Sequence, residues 1–195
     1  MWDQRYAADE YVYGKKPNDF LAEVSGRLAP GKVLCLAEGE GRNAVFLAGR
    51  GHAVTAVDAS AVGLEKARKL AAERGVEIAV RVADLADFAI APASWDAVVA
   101  IFCHLPPDLR RLVHRRVVDG LRPGGRFILE AYTPRQLQFK TGGPPTAELL
   151  MTLADLKEEL TGLDFEIAEE IERDIHEGHC HFGRGAVARI LGRKP

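Results

Sequence analysis

The sequence predicts an α/β fold: a mainly parallel, seven-stranded sheet with an antiparallel edge strand and helices on both faces. Three observations carry this. From residue 32 to residue 132, short apolar runs alternate with amphipathic stretches of helical spacing, which implies successive right-handed crossovers. The runs are continuously hydrophobic rather than alternating, as strands covered on both faces must be. The last two runs have no helical stretch between them, so they pair antiparallel at one edge of the sheet.

Element by element, Lys32-Val-Leu-Cys-Leu36 follows Pro30-Gly31 and reads as a buried strand. Residues 42–51 have helical spacing and stop at a glycine. Residues 53–57 form a second apolar run. The helix over 61–74 carries Leu64, Ala67, Leu70 and Ala71 on one face and ends before Gly75. Residues 78–82 and 95–102 give the third and fourth strands. Leu109, Leu112, Val113, Val117 and Leu121 form a stripe on a helix predicted to stop at Pro123-Gly-Gly125, and residues 126–132 form the fifth strand. A Gly/Pro-rich loop leads to a helix over 153–162, then to strand-like runs near 165–171 and 186–191. Residues 1–30 lie outside the alternation, with Asn18 placed to cap a helix bearing Phe20, Leu21, Val24 and Leu28. The expectation is one domain over 1–195: a helical extension or lid over 1–30 and a Rossmann-like core over 31–195.

Composition bounds what such a domain does. With 195 residues, 47% hydrophobic and 28% charged, the chain fits one ordinary globular unit. Its 26 basic and 28 acidic side chains leave a net charge of -2, which argues against nucleic acid as a partner, since phosphate contacts need excess positive charge. No apolar run approaches the ~20 residues a membrane span needs, and Met-Trp-Asp-Gln-Arg has no signal-peptide core, so a cytoplasmic protein is expected. Three scattered cysteines, Cys35, Cys103 and Cys180, make neither a disulfide nor a zinc framework.

In an open α/β sheet, ligands bind beyond the carboxyl ends of the strands where the strand order reverses. The first such end is Leu36-Ala-Glu38-Gly39-Glu40-Gly41-Arg-Asn-Ala44. Gly39 and Gly41 allow a tight turn and close backbone approach, but Gly-x-Gly-x-x-Ala equally matches a dinucleotide fingerprint. Asp58, 19 residues after Gly39 and followed by Ala59, is placed to accept bonds from ribose hydroxyls. Asp84, just past the third strand, is placed to accept a bond from an adenine amino group. Charge then separates the candidates. A pyrophosphate wants backbone N–H groups and positive charge, whereas this turn offers Glu38 and Glu40. Two like unit charges 4 Å apart repel by about 4 kcal/mol at an effective dielectric of ~20. An adenosine with a cationic tail, as in S-adenosyl-L-methionine, suits an acid-lined mouth better.

The segment Val33-Leu-Cys-Leu-Ala-Glu-Gly-Glu-Gly-Arg42 resembles the first motif of the class I S-adenosylmethionine-dependent methyltransferases. Val54-Thr-Ala-Val-Asp-Ala-Ser60 resembles the second, Ala83-Asp-Leu85 the third, and Leu121-Arg-Pro-Gly-Gly125 the segment before strand five. The opening Trp2-Asp-Gln-Arg-Tyr6, Tyr11-Val-Tyr-Gly14 and Pro17 is similar to the small bacterial group that includes tellurite-resistance and thiopurine-methylating enzymes. The chain departs from the family pattern at Cys35, usually an acid, and at Ala37, usually a glycine. The resemblance implies a methyltransferase with S-adenosyl-L-methionine as cofactor. It gives Gly39 and Gly41 to the turn, Asp58 to the ribose, and Asp84 and Leu85 to the adenine. Glu38 then supplies negative charge near the methionine ammonium. A dinucleotide-dependent oxidoreductase and a non-catalytic cofactor-binding module are the alternatives.

For the acceptor, the resemblance implies a small molecule, with a thiol or chalcogen compound favoured. Such nucleophiles need no strong base, whereas a hydroxyl or ammonium does. The fourth strand ends in Phe102-Cys103-His104, which puts Phe102 beside the cofactor, against the adenine or in the core. His104 is a general-base candidate, or else a histidine bonded to a neighbouring loop. The cluster His176-Glu-Gly-His179-Cys180-His181 reads as a polar hairpin turned toward the acceptor, with His179 or His181 touching it. Adjacent ligands on one short loop rarely reach a common metal, so no metal site is expected. Tyr13 and its aromatic neighbours suggest a lid over the pocket. Arg110, Arg111, Arg115 and Arg116 suggest a solvated basic helix face.

Overall fold

The computed structural model describes residues 2–178 and 180–195. Seven strands, β1 (Lys32–Leu36), β2 (Ala53–Asp58), β3 (Ala79–Val82), β4 (Trp95–Ile101), β5 (Leu121–Tyr132), β6 (Asp164–Glu177) and β7 (His181–Arg193), form one sheet in the order β3-β2-β1-β4-β5-β7-β6. Strands β1 to β5 pair in parallel, and β7 runs antiparallel to both β5 and β6. The antiparallel pairing at the edge is as expected, with the reversed strand second from the edge and β6 outermost.

Helices cover both faces. Leu34 and Leu36 of β1 point to one side, into a core with Val113 and Val117 of α5 (Pro107–Gly120) and Leu156 of α6 (Leu153–Glu159). Val33 and Cys35 point to the other. There they meet Phe20 and Leu21 of α2 (Asp19–Val24), Leu47 of α3 (Arg42–Gly49) and Leu64 of α4 (Ala61–Glu73). Alternation along one buried strand therefore feeds two cores, which is why the strand is apolar at nearly every position.

Caps set the helix starts. Asn18 Oδ1 accepts from Leu21 N at 3.0 Å, as the sequence suggests, and Ser60 Oγ accepts from Gly63 N at 2.9 Å. Thr152 and Asp155 form a reciprocal capping box on α6.

The tertiary context overrides the sequence reading in four places. Strand β5 begins at Leu121, not Arg126. Pro123-Gly-Gly125 is an irregularity between the Trp95↔Leu121 and Ala97↔Arg126 pairs, and Gly120 ends the helix. Strands β6 and β7 extend well beyond 171 and before 186, because pairing to each other outweighs their polar composition. The N-terminal extension is helical only in α1 (Trp2–Tyr6) and α2, followed by one short 3-10 turn, and residues 7–18 are an irregular strap. The solvated basic face of α5 is also corrected. Arg110 is buried and bidentate to Glu159 of α6, while Arg116 Nη1 donates to the carbonyls of Leu85, Ala86 and Phe88. Arginine stems lie along apolar surface and their forks satisfy loop carbonyls, so two of these four cations are structural ties.

Candidate active site

The strand order reverses between β1 and β4, and a cavity of about 640 Å³ opens there beyond the carboxyl ends of β1 to β4. One half is built by turns. After β1 the chain enters a left-handed bend at Ala37, φ 49°, the position at which the resemblance leads one to expect glycine. Glu38 follows, and its Oε1 accepts from Asn43 N (2.9 Å) and Ala44 N (2.8 Å), the free donors at the start of α3. Those are the N–H groups a pyrophosphate would need, so the turn is closed to a phosphate cradle by its own carboxylate. Burial raises the Glu38 carboxyl to about 7, against the pull of those two N–H groups and of Arg42.

Asp58, at the end of β2, accepts from Gly39 N through Oδ2 and from Ser60 N through Oδ1, both at 2.8 Å. It lines the cavity, and burial raises its carboxyl. Exposed Ala59 follows on the same wall. Asp84 is exposed, its Oδ1 accepting from Ala86 N, and Leu85 is buried; both line the cavity beside Ala83.

Two sequence expectations need correction here. Gly41 is not on the cavity wall. A Cβ there would strike Ala67, so this glycine, at φ 88°, lets α3 close onto α4. Gly39 is likewise set back, its Cα facing the Tyr6 hydroxyl while its N–H fixes Asp58. The acidity of the mouth is also halved. Glu40 is paired with Lys66 Nζ at 2.5 Å, and Lys66 gathers the carbonyls of Ala8 (2.8 Å) and Glu10 (2.6 Å) from the strap.

The other half is built by convergence. An arc of rings runs Trp2, Tyr6, Tyr13, His181, Phe102, Tyr132, with consecutive centroids 4.6–6.5 Å apart. Phe102 adopts φ 52°, a strained conformation for a bulky residue, and this seats its ring 4.6 Å from both Tyr132 and His181. Gly142, Gly143, Pro144, Pro145 and Leu149, from the loop after β5, complete the wall with Cys103, Leu105 and Leu109.

His104 lines this half, but a general-base role does not suit its geometry. Its Nδ1 lies 2.9 Å from the Leu149 carbonyl, so Nδ1 carries the proton. Its Nε2 faces Tyr132 N at 3.5 Å, and burial lowers the imidazole to about 4. It braces the 142–149 loop in the manner of the loop-bonded alternative. His181, buried, is lowered to about 3 by desolvation and then by the charge of Arg42. Of its cluster, His176 turns away and packs 4.9 Å from exposed Phe182. Strand alternation explains the split: Glu177↔His181 and His176↔Phe182 are successive cross-strand pairs and face opposite sides. His179 lies outside the described residues. Among those described, no group of His, Cys, Asp and Glu side chains is arranged to hold a metal.

Sequence reasoning missed Arg42, Tyr132 and the 142–149 loop. Of these, only the Gly142-Gly-Pro-Pro145 turn residues carry a local signal.

The topology and this site define the class I methyltransferase fold. Residues 33–125 match the family model described as a methyltransferase domain. It is 26% identical over 150 residues, 75% of this chain and 66% of the relative, to a 2-heptyl-1-hydroxyquinolin-4(1H)-one methyltransferase of Mycobacteroides abscessus. A carboxy-S-adenosyl-L-methionine synthase of Aeromonas hydrophila is 34% identical over 51% of this chain and 39% of its own length. The matched region thus spans less than two thirds of these curated relatives. Among solved structures, TehB from Haemophilus influenzae superposes with a TM-score of 0.75 at 18% identity, covering 100% of this chain and 66% of that one. A protein solved in work on the conversion of a disulfide bond into a thioacetal group during echinomycin biosynthesis gives a TM-score of 0.81 at 20% identity. That match covers 99% and 90% of the two chains.

Proposed function

We propose that the protein transfers the methyl group of S-adenosyl-L-methionine to a small-molecule acceptor, a thiol or chalcogen compound being the favoured class. The observation that carries the reading is the occupation of the α3 N-terminus by Glu38. It leaves an acid, not an anion cradle, facing the cofactor mouth. When bound, S-adenosylmethionine supplies a sulfonium-activated methyl. Asp58 holds the ribose, Ala59 and Phe102 flank the adenosine, and Asp84 with Leu85 receives the adenine. Glu38 faces the ammonium, while Gly39 and Gly41 act by shaping the turn and its packing. Tyr13 and His181, with His179 for the undescribed position, form the acceptor side.

This chain's own contribution to the transfer is alignment and exclusion of water rather than proton abstraction. His104 and His181 are held neutral, and the Cys103 thiol is pushed up to about 12 by burial. Among the described residues of the aromatic half, these three groups are not tuned to take a proton near neutral pH, which suits a nucleophile that arrives deprotonated. One relative is named for a 2-heptyl-1-hydroxyquinolin-4(1H)-one, a heteroaromatic compound, in keeping with the aromatic arc. Helix α1 and the strap over residues 7–18, latched by Lys66, serve as a lid in this reading.

Calorimetric titration with S-adenosylmethionine, S-adenosylhomocysteine and NAD tests the proposal. Micromolar binding of the first two and none of NAD is the expected result, and binding of NAD alone overturns it.

A further inference from the structure

Beneath the junction of the two halves lies a buried ionic cluster. Glu130 of β5 is fully buried. Its Oε1 accepts from Asn18 Nδ2 (2.8 Å) and Arg173 Nη2 (2.5 Å), and its Oε2 from Arg189 Nε (2.7 Å). Glu177, at the root of the β6–β7 turn, accepts from Asn18 Nδ2 (2.8 Å) and Arg173 Nη2 (2.9 Å) through Oε1, and from Arg42 Nη2 (2.6 Å) through Oε2. Three guanidinium groups thus meet two buried carboxylates. Arg173 and Arg189 have further acids at the surface, Asp19 at 3.1 Å and Glu23 at 3.8 Å. Arg42 does not. It is 7% exposed, it lines the cavity, and its Nη1 is buried with no hydrogen-bond partner among the described residues. Its charge also reaches Glu38, which is bonded to the α3 backbone. A buried guanidinium with half its fork unused is costly unless an anion completes it. The arginine fork also matches the planar geometry of a carboxylate.

We infer that Arg42 is an anion-recognition residue. Its free Nη1 edge receives a carboxylate presented into the cavity, and Glu177 holds the guanidinium in place from behind. The inference rests on the methyltransferase reading only for one of the two carboxylates that can reach it, the amino-acid end of the cofactor. The other is a carboxylate or comparable oxyanion on the acceptor. His181 is within range of the same charge, so the anion sits where the cofactor turn meets the acceptor hairpin.

The probes are S-adenosylhomocysteine, its decarboxylated analogue and benzoate, each titrated by calorimetry, benzoate with and without S-adenosylhomocysteine. The variants are Glu177→Gln and the double variant Arg42→Gln/Glu177→Gln, which leaves no unpaired charge behind; a thermal melt confirms that each folds. If the cofactor supplies the anion, the wild type binds S-adenosylhomocysteine at least tenfold more tightly than the decarboxylated analogue. The double variant then erases that difference. If the acceptor supplies it, the double variant weakens benzoate tenfold and leaves S-adenosylhomocysteine unchanged. In either case Glu177→Gln alone strengthens the anion, because it removes the opposing charge while keeping the shape. A merely structural pair predicts the reverse sign. The inference is overturned if Glu177→Gln weakens the anion as the double variant does, or if the double variant binds every probe like the wild type. It is overturned equally if the wild type binds no probe. Loss of all adenosine ligands with benzoate retained would strike the cofactor reading and leave Arg42 standing.

Discussion

The two halves of the cavity are made in different ways. The half proposed for the cofactor comes from the ends of β1, β2 and β3, and most of its polar atoms are satisfied by backbone a few residues away: Glu38 by Asn43 and Ala44, Asp58 Oδ1 by Ser60, Asp84 by Ala86, with only Asp58 Oδ2 reaching back to Gly39. The half proposed for the acceptor joins Tyr13, Tyr132, the 142–149 loop and His181, which come from well-separated stretches of the chain and meet the ring of Phe102. The first half is polar, local and fixed by hydrogen bonds. The second is aromatic and held by packing. A locally specified site keeps its geometry while a long-range one varies, which suits one cofactor and a changeable acceptor.

The largest effect that would sharpen this contrast is at Asp58. Asp58→Asn removes the charge and sets an amide against the N–H of Gly39 or Ser60. At about 1.5–3 kcal/mol for a hydrogen bond to a charged group, S-adenosylhomocysteine affinity falls roughly 10- to 100-fold by calorimetry. Unchanged affinity would remove Asp58 from the cofactor site.

Next comes the pH dependence of Glu38, whose carboxyl is raised from 4.5 to about 7 by burial. A cationic cofactor prefers the ionised form, so affinity for S-adenosylmethionine rises by about tenfold from pH 6 to pH 8. Glu38→Gln flattens that profile. Stability runs the other way: because the folded value is raised, the contribution is fully present below pH 4.5 and is lost as pH rises through about 7. Glu159 is its structural counterpart. Bonded to His114 and Arg110, it is lowered to about 2, so its contribution is present above pH 4.5 and lost as pH falls through 2. Thermal melts across pH 2–8 with Glu38→Gln and Glu159→Gln separate the two signs.

On the acceptor half, His104→Gln keeps a donor for the Leu149 carbonyl, and turnover is expected within about threefold of wild type, with no change in pH profile. A fall of 10²- to 10⁴-fold would restore the general base. The smallest effect is at Ala37, where a left-handed conformation costs about 1–2 kcal/mol for a side-chain-bearing residue. Ala37→Gly relieves that strain but frees the unfolded chain, for a net stabilisation of about 0.5 kcal/mol in denaturant titration. Destabilisation would mean that the methyl group packs more tightly than its conformation suggests.

Much of the cofactor half was legible because period, glycine turns and acids at strand ends are local signals. The misreadings arose where a neighbour changed a residue's role. Gly41 answers to Ala67, Glu40 to Lys66, and Arg110 to Glu159, and none of these partners is identifiable from spacing along the chain. His104 carried two readings until the Leu149 carbonyl was placed beside it.

The sequence by itself determined the alternating α/β order, the parallel core of the sheet and the acidic turn after the first strand. Burial and hydrogen bonding within a few residues dictate all three. Only the tertiary structure decided which charges stay free and which rings share a wall. Arg42 meets Glu177 across 135 positions and Asn18 meets Glu130 across 112. Such pairs follow from the closure of long loops around the sheet, a cost met by the whole core rather than by any local preference.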